Sequence, residues 1–117
     1  GGVQTVANGG NTLNTVVNSG GFQRVSAGGV ATGTTITNAG FQNVSSGGRV
    51  VSTTVNSGGT QTLYGGSVSD NAIVNNSGVQ NISSGAVANN TTLNSGGTQR
   101  VSAGGTASGS IINDAGL

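Results

Sequence analysis

Aliphatic side chains return every 19 residues at two places along this chain. Val6, Val25, Val44, Leu63, Ile82 and Val101 form one set, and Val17, Ile36, Val55, Val74, Leu93 and Ile112 form the other. Glycine recurs with the same step at Gly9, Gly28, Gly47, Gly66, Gly85 and Gly104, and again at Gly2, Gly21, Gly40, Gly59, Gly78, Gly97 and Gly116. No insertion or deletion breaks the register. In the second copy, Phe22 to Val25 predicts a short strand closed by Ser26-Ala27-Gly28-Gly29, and Thr34 to Thr37 predicts another closed by Asn38-Ala39-Gly40. Each copy is therefore two or three short strands joined by turns.

Side chains alternate between the two faces of a strand, so the aliphatic positions mark the inside. Two residues before the first aliphatic set stands a glutamine in every copy: Gln4, Gln23, Gln42, Gln61, Gln80 and Gln99. The same alternation turns these amides inward. An isolated buried amide is costly, but identical amides on rungs about 4.8 Å apart can bond to one another as a ladder. Two residues before the second aliphatic set lie Thr15, Thr34, Thr53, Ala72, Thr91 and Ser110, small groups suited to a narrow interior. Outward by the same rule are Thr5, Arg24, Asn43, Thr62, Asn81 and Arg100, and also Asn18, Thr37, Asn56, Asn75, Asn94 and Asn113. The glycine positions predict corners that need a positive φ or a close backbone approach.

A period near 20 with strands, turns and no helical pattern specifies an all-β fold, a right-handed parallel β-helix (solenoid) with one 19-residue repeat per coil and about six coils. The repeats start at Gly2, Gly21, Gly40, Gly59, Gly78 and Gly97, and residues 1–117 read as a single solenoid segment of a longer protein. A second rhythm of two copies overlies the first, since corner residues alternate as Ser19-Gly20, Asn38-Ala39, Ser57-Gly58, Asn76-Ser77 and Ser95-Gly96.

Composition narrows the function. Only 32% of the 117 residues are hydrophobic and 3% aromatic, too few large side chains for an ordinary globular core. The charged residues are Arg24, Arg49, Arg100, Asp70 and Asp114, with a net charge of +1 and no histidine or cysteine. Electrostatic capture of nucleic acid has no support in that balance, and neither do acid–base catalysis, a Ser-His-Asp triad or a His/Cys metal site. Asp70 and Asp114 read as solvated turn residues. The calcium-binding G-G-x-G-x-D-x-U-x repeat is missing. An ice-binding threonine array would need unbroken ranks, which Val16, Ile73 and Ile111 interrupt. No catalytic, cofactor-binding or metal-binding residue is expected, and the chain reads as non-enzymatic. Serine and threonine, however, contribute 30 of the 117 residues, many at corners, and they make a surface of hydroxyl acceptors.

The repeat G-x-Q-x-V-x-x-G-G, as at Gly21 to Gly29, followed by Thr53-Thr54-Val55-Asn56-Ser57-Gly58-Gly59, resembles the 19-residue repeat of AIDA-type self-associating autotransporter adhesins. That resemblance covers essentially the whole chain. It implies a passenger segment displayed on the outer membrane of a Gram-negative bacterium. The activities it implies are adhesion to host cell surfaces, self-association with identical passengers, and biofilm formation. It also implies modification by a bacterial protein O-heptosyltransferase. The acceptors it suggests are Ser26, Ser45, Ser46, Ser83, Ser84 and Ser102 after the first strand, and Ser19, Ser57, Ser77 and Ser95 at the other corner. In the fourth copy Tyr64 takes the place of a corner serine, which makes it a candidate contact residue. Alternatives left open by the residues are a structural spacer that carries sugars while adhesion resides elsewhere, or a polysaccharide-binding or ice-binding β-helix.

Overall fold

The computed structural model describes residues 2–113, and the turn reading of Asp114 lies outside them. Among the described residues eighteen strands form three six-stranded sheets, and within each sheet neighbouring strands are equivalent segments of successive copies. One coil is thus one repeat, as expected. The first sheet stacks Val3–Val6, Phe22–Val25, Phe41–Val44, Thr60–Leu63, Val79–Ile82 and Thr98–Val101. The second begins with Asn11–Leu13 and the third with Val16–Val17, and all pairings are parallel. Each residue faces its counterpart one repeat on, so Gln23 lies beside Gln42 and Val25 beside Val44.

The interior follows from alternation on these strands. Val6, Val25, Val44, Leu63 and Ile82 form one apolar column together with Ala31, Val50 and Ala88 from the second sheet. Val17, Ile36, Val55, Val74 and Leu93 form another. Alanine and serine fill the second sheet's inward position because the space there is small; Ala31, Val50, Ser69 and Ala88 are all buried. This third inward row was not anticipated. It mixes Thr, Ala, Val and Ser, so no residue type betrays it by repetition.

Three bends close each coil. At the first, Gly9, Gly28, Gly47, Gly66, Gly85 and Gly104 all adopt positive φ. The bend between the second and third sheets was also not anticipated: Asn14, Ser52, Asn71 and Asn90 have φ of 55, 57, 59 and 56°, with Gly33 and Gly109 in the same role. Asparagine tolerates this left-handed conformation because its short polar side chain bonds locally. Gly21, Gly40, Gly59, Gly78 and Gly97 meet the second expectation, close approach, whereas Gly2 in the first coil stands in open space. A Cβ on Gly78 would lie 2.5 Å from the Val55 carbonyl oxygen of the coil before it.

Candidate functional site

Polar side chains repeat along the rod in an interior ladder and in exterior rows. Inside, Gln23 Nε2 donates to Gln4 Oε1 at 2.7 Å, Gln42 to Gln23 at 2.7 Å, Gln61 to Gln42 at 2.8 Å, Gln80 to Gln61 at 2.7 Å and Gln99 to Gln80 at 2.8 Å. Gln23, Gln42, Gln61 and Gln80 are fully buried, whereas Gln4 and Gln99, in the end coils, are partly open. Each buried carbonyl oxygen also accepts a hydroxyl: Thr34 to Gln23 at 3.0 Å, Thr53 to Gln42 at 3.3 Å and Thr91 to Gln80 at 3.2 Å. The inward amides are therefore paired, and they act as structure.

Outside, a second amide ladder runs along the third bend. Asn75 donates to Asn56 at 2.8 Å, Asn94 to Asn75 at 2.8 Å and Asn113 to Asn94 at 3.1 Å, and Thr37 donates to Asn18. Phe22 and Phe41 stack outward on the first sheet with ring centroids 5.1 Å apart, and the Arg24 guanidinium lies 5.7 Å from the Phe22 centroid. Asp70 corrects the turn reading. It ends the strand Val68–Asp70, where Arg49 donates to its Oδ2 from Nε at 2.9 Å and from a terminal nitrogen at 2.7 Å, and Asn89 donates to its Oδ1 at 2.9 Å. Partial burial opposes the charge on Asp70. The Asn89 hydrogen bond, then the hydrogen bond and charge of Arg49, outweigh that cost and hold the carboxyl below the ordinary carboxylate range.

All ten serines singled out in the sequence lie at bends. Ser19, Ser45, Ser46, Ser57, Ser77, Ser84, Ser95 and Ser102 are exposed, and Ser26 and Ser83 are half-buried. The residue that opens the first bend offers its carbonyl oxygen to the amide three residues on, as in Gly29 N to Ser26 O at 2.8 Å and Gly48 N to Ser45 O at 2.8 Å. This fixes Ser26, Ser45, Tyr64, Ser83 and Ser102 as one vertical row. The third bend carries Ser19, Ser57 and Ser95 on alternate coils, separated by Asn38 and Asn76. Two further serines are unsuitable as acceptors: Ser67 is buried and donates to the Tyr64 carbonyl at 2.6 Å, and buried Ser69 donates to Gln61 at 3.4 Å.

A rod of stacked parallel coils with an internal amide ladder and hydroxyl rows at its corners is a β-solenoid. Residues 64–116 match the family described as "Adhesin of bacterial autotransporter system, probable stalk", that of AIDA. The crystal structure of a TibC-catalysed hyper-glycosylated fragment of TibA is similar at a TM-score of 0.73 and 39% identity, over 98% of this chain and 49% of the solved one. The chain thus spans about half the length of that fragment. No curated protein sequence matches it. The resemblance to AIDA-type autotransporter adhesins, drawn from the repeat motif, holds on both the family match and the solved structure.

Proposed function

We propose that this chain is a non-enzymatic stalk segment of a longer autotransporter passenger, O-glycosylated with heptose on its corner serines and self-associating with identical passengers on opposed cells. The single observation that carries this reading is the placement of the acceptors. Hydroxyls predicted from the repeat stand in register on the outside of a rod whose solved counterpart is a glycosylated fragment. A glycosyltransferase of TibC's kind is the partner before export, and the outer surface of a Gram-negative cell is the location. Repetition suits adhesion, because contacts that are each weak add up when many engage together. Autoaggregation, biofilm formation and host-cell binding follow as functions of the whole protein.

In the modification, the Oγ–H bond of a serine breaks and Oγ bonds to the anomeric carbon of a nucleotide-activated heptose. The nucleoside diphosphate leaves with the electrons of the broken glycosidic bond, and the hydroxyl proton passes to a base or solvent. Intact mass after co-expression with TibC, followed by fragment mapping, tests the reading. Heptose-sized increments on corner serines are expected, and an unchanged mass overturns glycosylation.

The exterior asparagine ladder favours a second reading, a sugar-bearing spacer with adhesion carried elsewhere. Asn75 and Asn94 each both donate and accept within the ladder, leaving less amide capacity for a partner. Sedimentation of the chain both with and without sugar separates the two, since a pure spacer stays monomeric in either form.

A further inference from the structure

Tyr64 interrupts the serine row of the first bend between Ser45 and Ser83. Its amide donates to the Val44 carbonyl at 2.9 Å, and the Ser83 amide donates to the Leu63 carbonyl at 3.0 Å, so Ser45, Tyr64 and Ser83 sit on consecutive rungs. The parallel pairing of Val44, Leu63 and Ile82 immediately before them keeps this register. The rung spacing is about 4.8 Å. On its own rung Tyr64 is followed by Gly65 and Gly66, where the neighbouring coils carry Ser46-Gly47 and Ser84-Gly85, so this bend adds one side chain fewer than its neighbours. The backbone beneath is held, because Ser67 donates both its amide, at 3.0 Å, and its hydroxyl, at 2.6 Å, to the Tyr64 carbonyl. Tyr64 itself is 47% exposed, so a large aromatic side chain stands on a fixed turn without being absorbed into a core.

We propose that Tyr64 is an intramolecular platform for the sugars borne by Ser45 and Ser83. This rests on the glycosylation reading above. A pyranose linked to either hydroxyl is carried on the rung next to that of Tyr64, one strand spacing of about 4.8 Å away along the rod. The face of an aromatic ring carries partial negative charge, and the C–H groups of a sugar, polarised by the adjacent oxygens, carry partial positive charge. The tyrosine therefore continues the row of sugar rings with a flat ring of its own where no acceptor hydroxyl exists, and its phenol adds a hydrogen-bonding group at the rim. The ligand is a saccharide carried by the same chain.

Tyr64 is the only tyrosine and there is no tryptophan, so its ring signals are free of overlap from other residues of those types. The test is isotope-edited NMR of the full chain after co-expression with TibC, combined with fragment mapping of Ser45 and Ser83. Contact is expected as nuclear Overhauser effects between the Tyr64 ring protons and sugar ring protons, reduced in S45A and in S83A and lost in the double variant. Ala7 occupies the same row in the first coil, so these substitutions leave a side chain the bend already accepts. Sugars mapped on Ser45 and Ser83 without any such effect overturn the platform and leave glycosylation standing. Sugars found only on other serines do the same. A chain that carries no sugar at all overturns both.

Discussion

Ser69 donates its hydroxyl to Gln61 Oε1 at 3.4 Å, in the one buried rung of the glutamine ladder whose usual threonine is missing. The neighbouring oxygens are served by Thr34, Thr53 and Thr91, whereas the fourth coil holds Ala72 at that position. Ser69 comes from the second sheet, where the coils before and after carry Val50 and Ala88. A hydroxyl lost on one wall is thus replaced on another. Ser69→Ala is expected to lower stability by about 0.5–1.5 kcal/mol, since it removes a hydrogen bond and leaves a side chain found elsewhere in that row. Adding Ala72→Thr should recover most of that loss. Urea denaturation of the two single variants and the double variant measures the coupling, and additive effects would refute the replacement.

The ladder itself predicts a larger effect in the middle than at the end. Gln42→Leu leaves Gln61 Nε2 without its acceptor and removes a donor from Gln23 Oε1, in a site closed to water. Buried polar groups left unpaired cost about 1–3 kcal/mol each. Gln4→Leu touches a half-open rung, and a loss several-fold smaller is expected. Comparing the two denaturation midpoints checks the difference.

Close packing at the third bend predicts that one methyl group matters. Gly78→Ala places a Cβ 2.5 Å from the Val55 carbonyl oxygen and 3.1 Å from that of Asn75, both backbone atoms that cannot rotate away. A loss of about 1–3 kcal/mol is expected from overpacking. Gly2→Ala, at the same position in the first coil, meets nothing within 4 Å and should be neutral. Equal thermal midpoints for the two variants would show that the bend yields.

The Asp70 network gives a pH dependence of known sign. The folded carboxyl titrates below its unfolded value, so its contribution is present above the unfolded pKa and is lost as pH falls through the folded one. Arg49 is 58% exposed, and solvent screening therefore limits the effect to less than about 1 kcal/mol. Asp70→Asn should remove this acid-dependent component while leaving stability at neutral pH within about 1 kcal/mol of the parent. Chemical denaturation at pH 7 and at pH 3 measures it, and an unchanged pH difference in the variant would assign the dependence elsewhere.

Most of the architecture is written in positions that repeat both place and chemistry. Gln23 and Val25 show their inward face because strand alternation leaves no other choice, and the glycine at each first bend announces positive φ. The second sheet was harder to see. Its inward row changes from Ala31 to Val50 to Ser69 to Ala88, since several small side chains fill that space equally well, and periodicity of type is then lost while periodicity of place remains. The bend at Asn14, Ser52, Asn71 and Asn90 was hidden for a similar reason: asparagine and serine there look like any polar surface residue until their φ is known. Asp70 was misread because its partners, Arg49 and Asn89, are 21 and 19 residues away and become neighbours only when the coils stack. Of the candidate site, the sequence located the corner serines, but the exposure that separates Ser45 and Ser84 from Ser67 and Ser69 required the fold.

Gln23, Gln42, Gln61 and Gln80 each donate to the glutamine of the preceding coil and accept from that of the following one. A cut made at one position and rejoined at the equivalent position of any other coil restores the same donor–acceptor pair across the seam. Unequal recombination between copies of the underlying gene would therefore lengthen or shorten the rod by whole coils and leave the glutamine ladder continuous through it. Reach becomes a quantity that can change in discrete steps without a new interior having to be found each time.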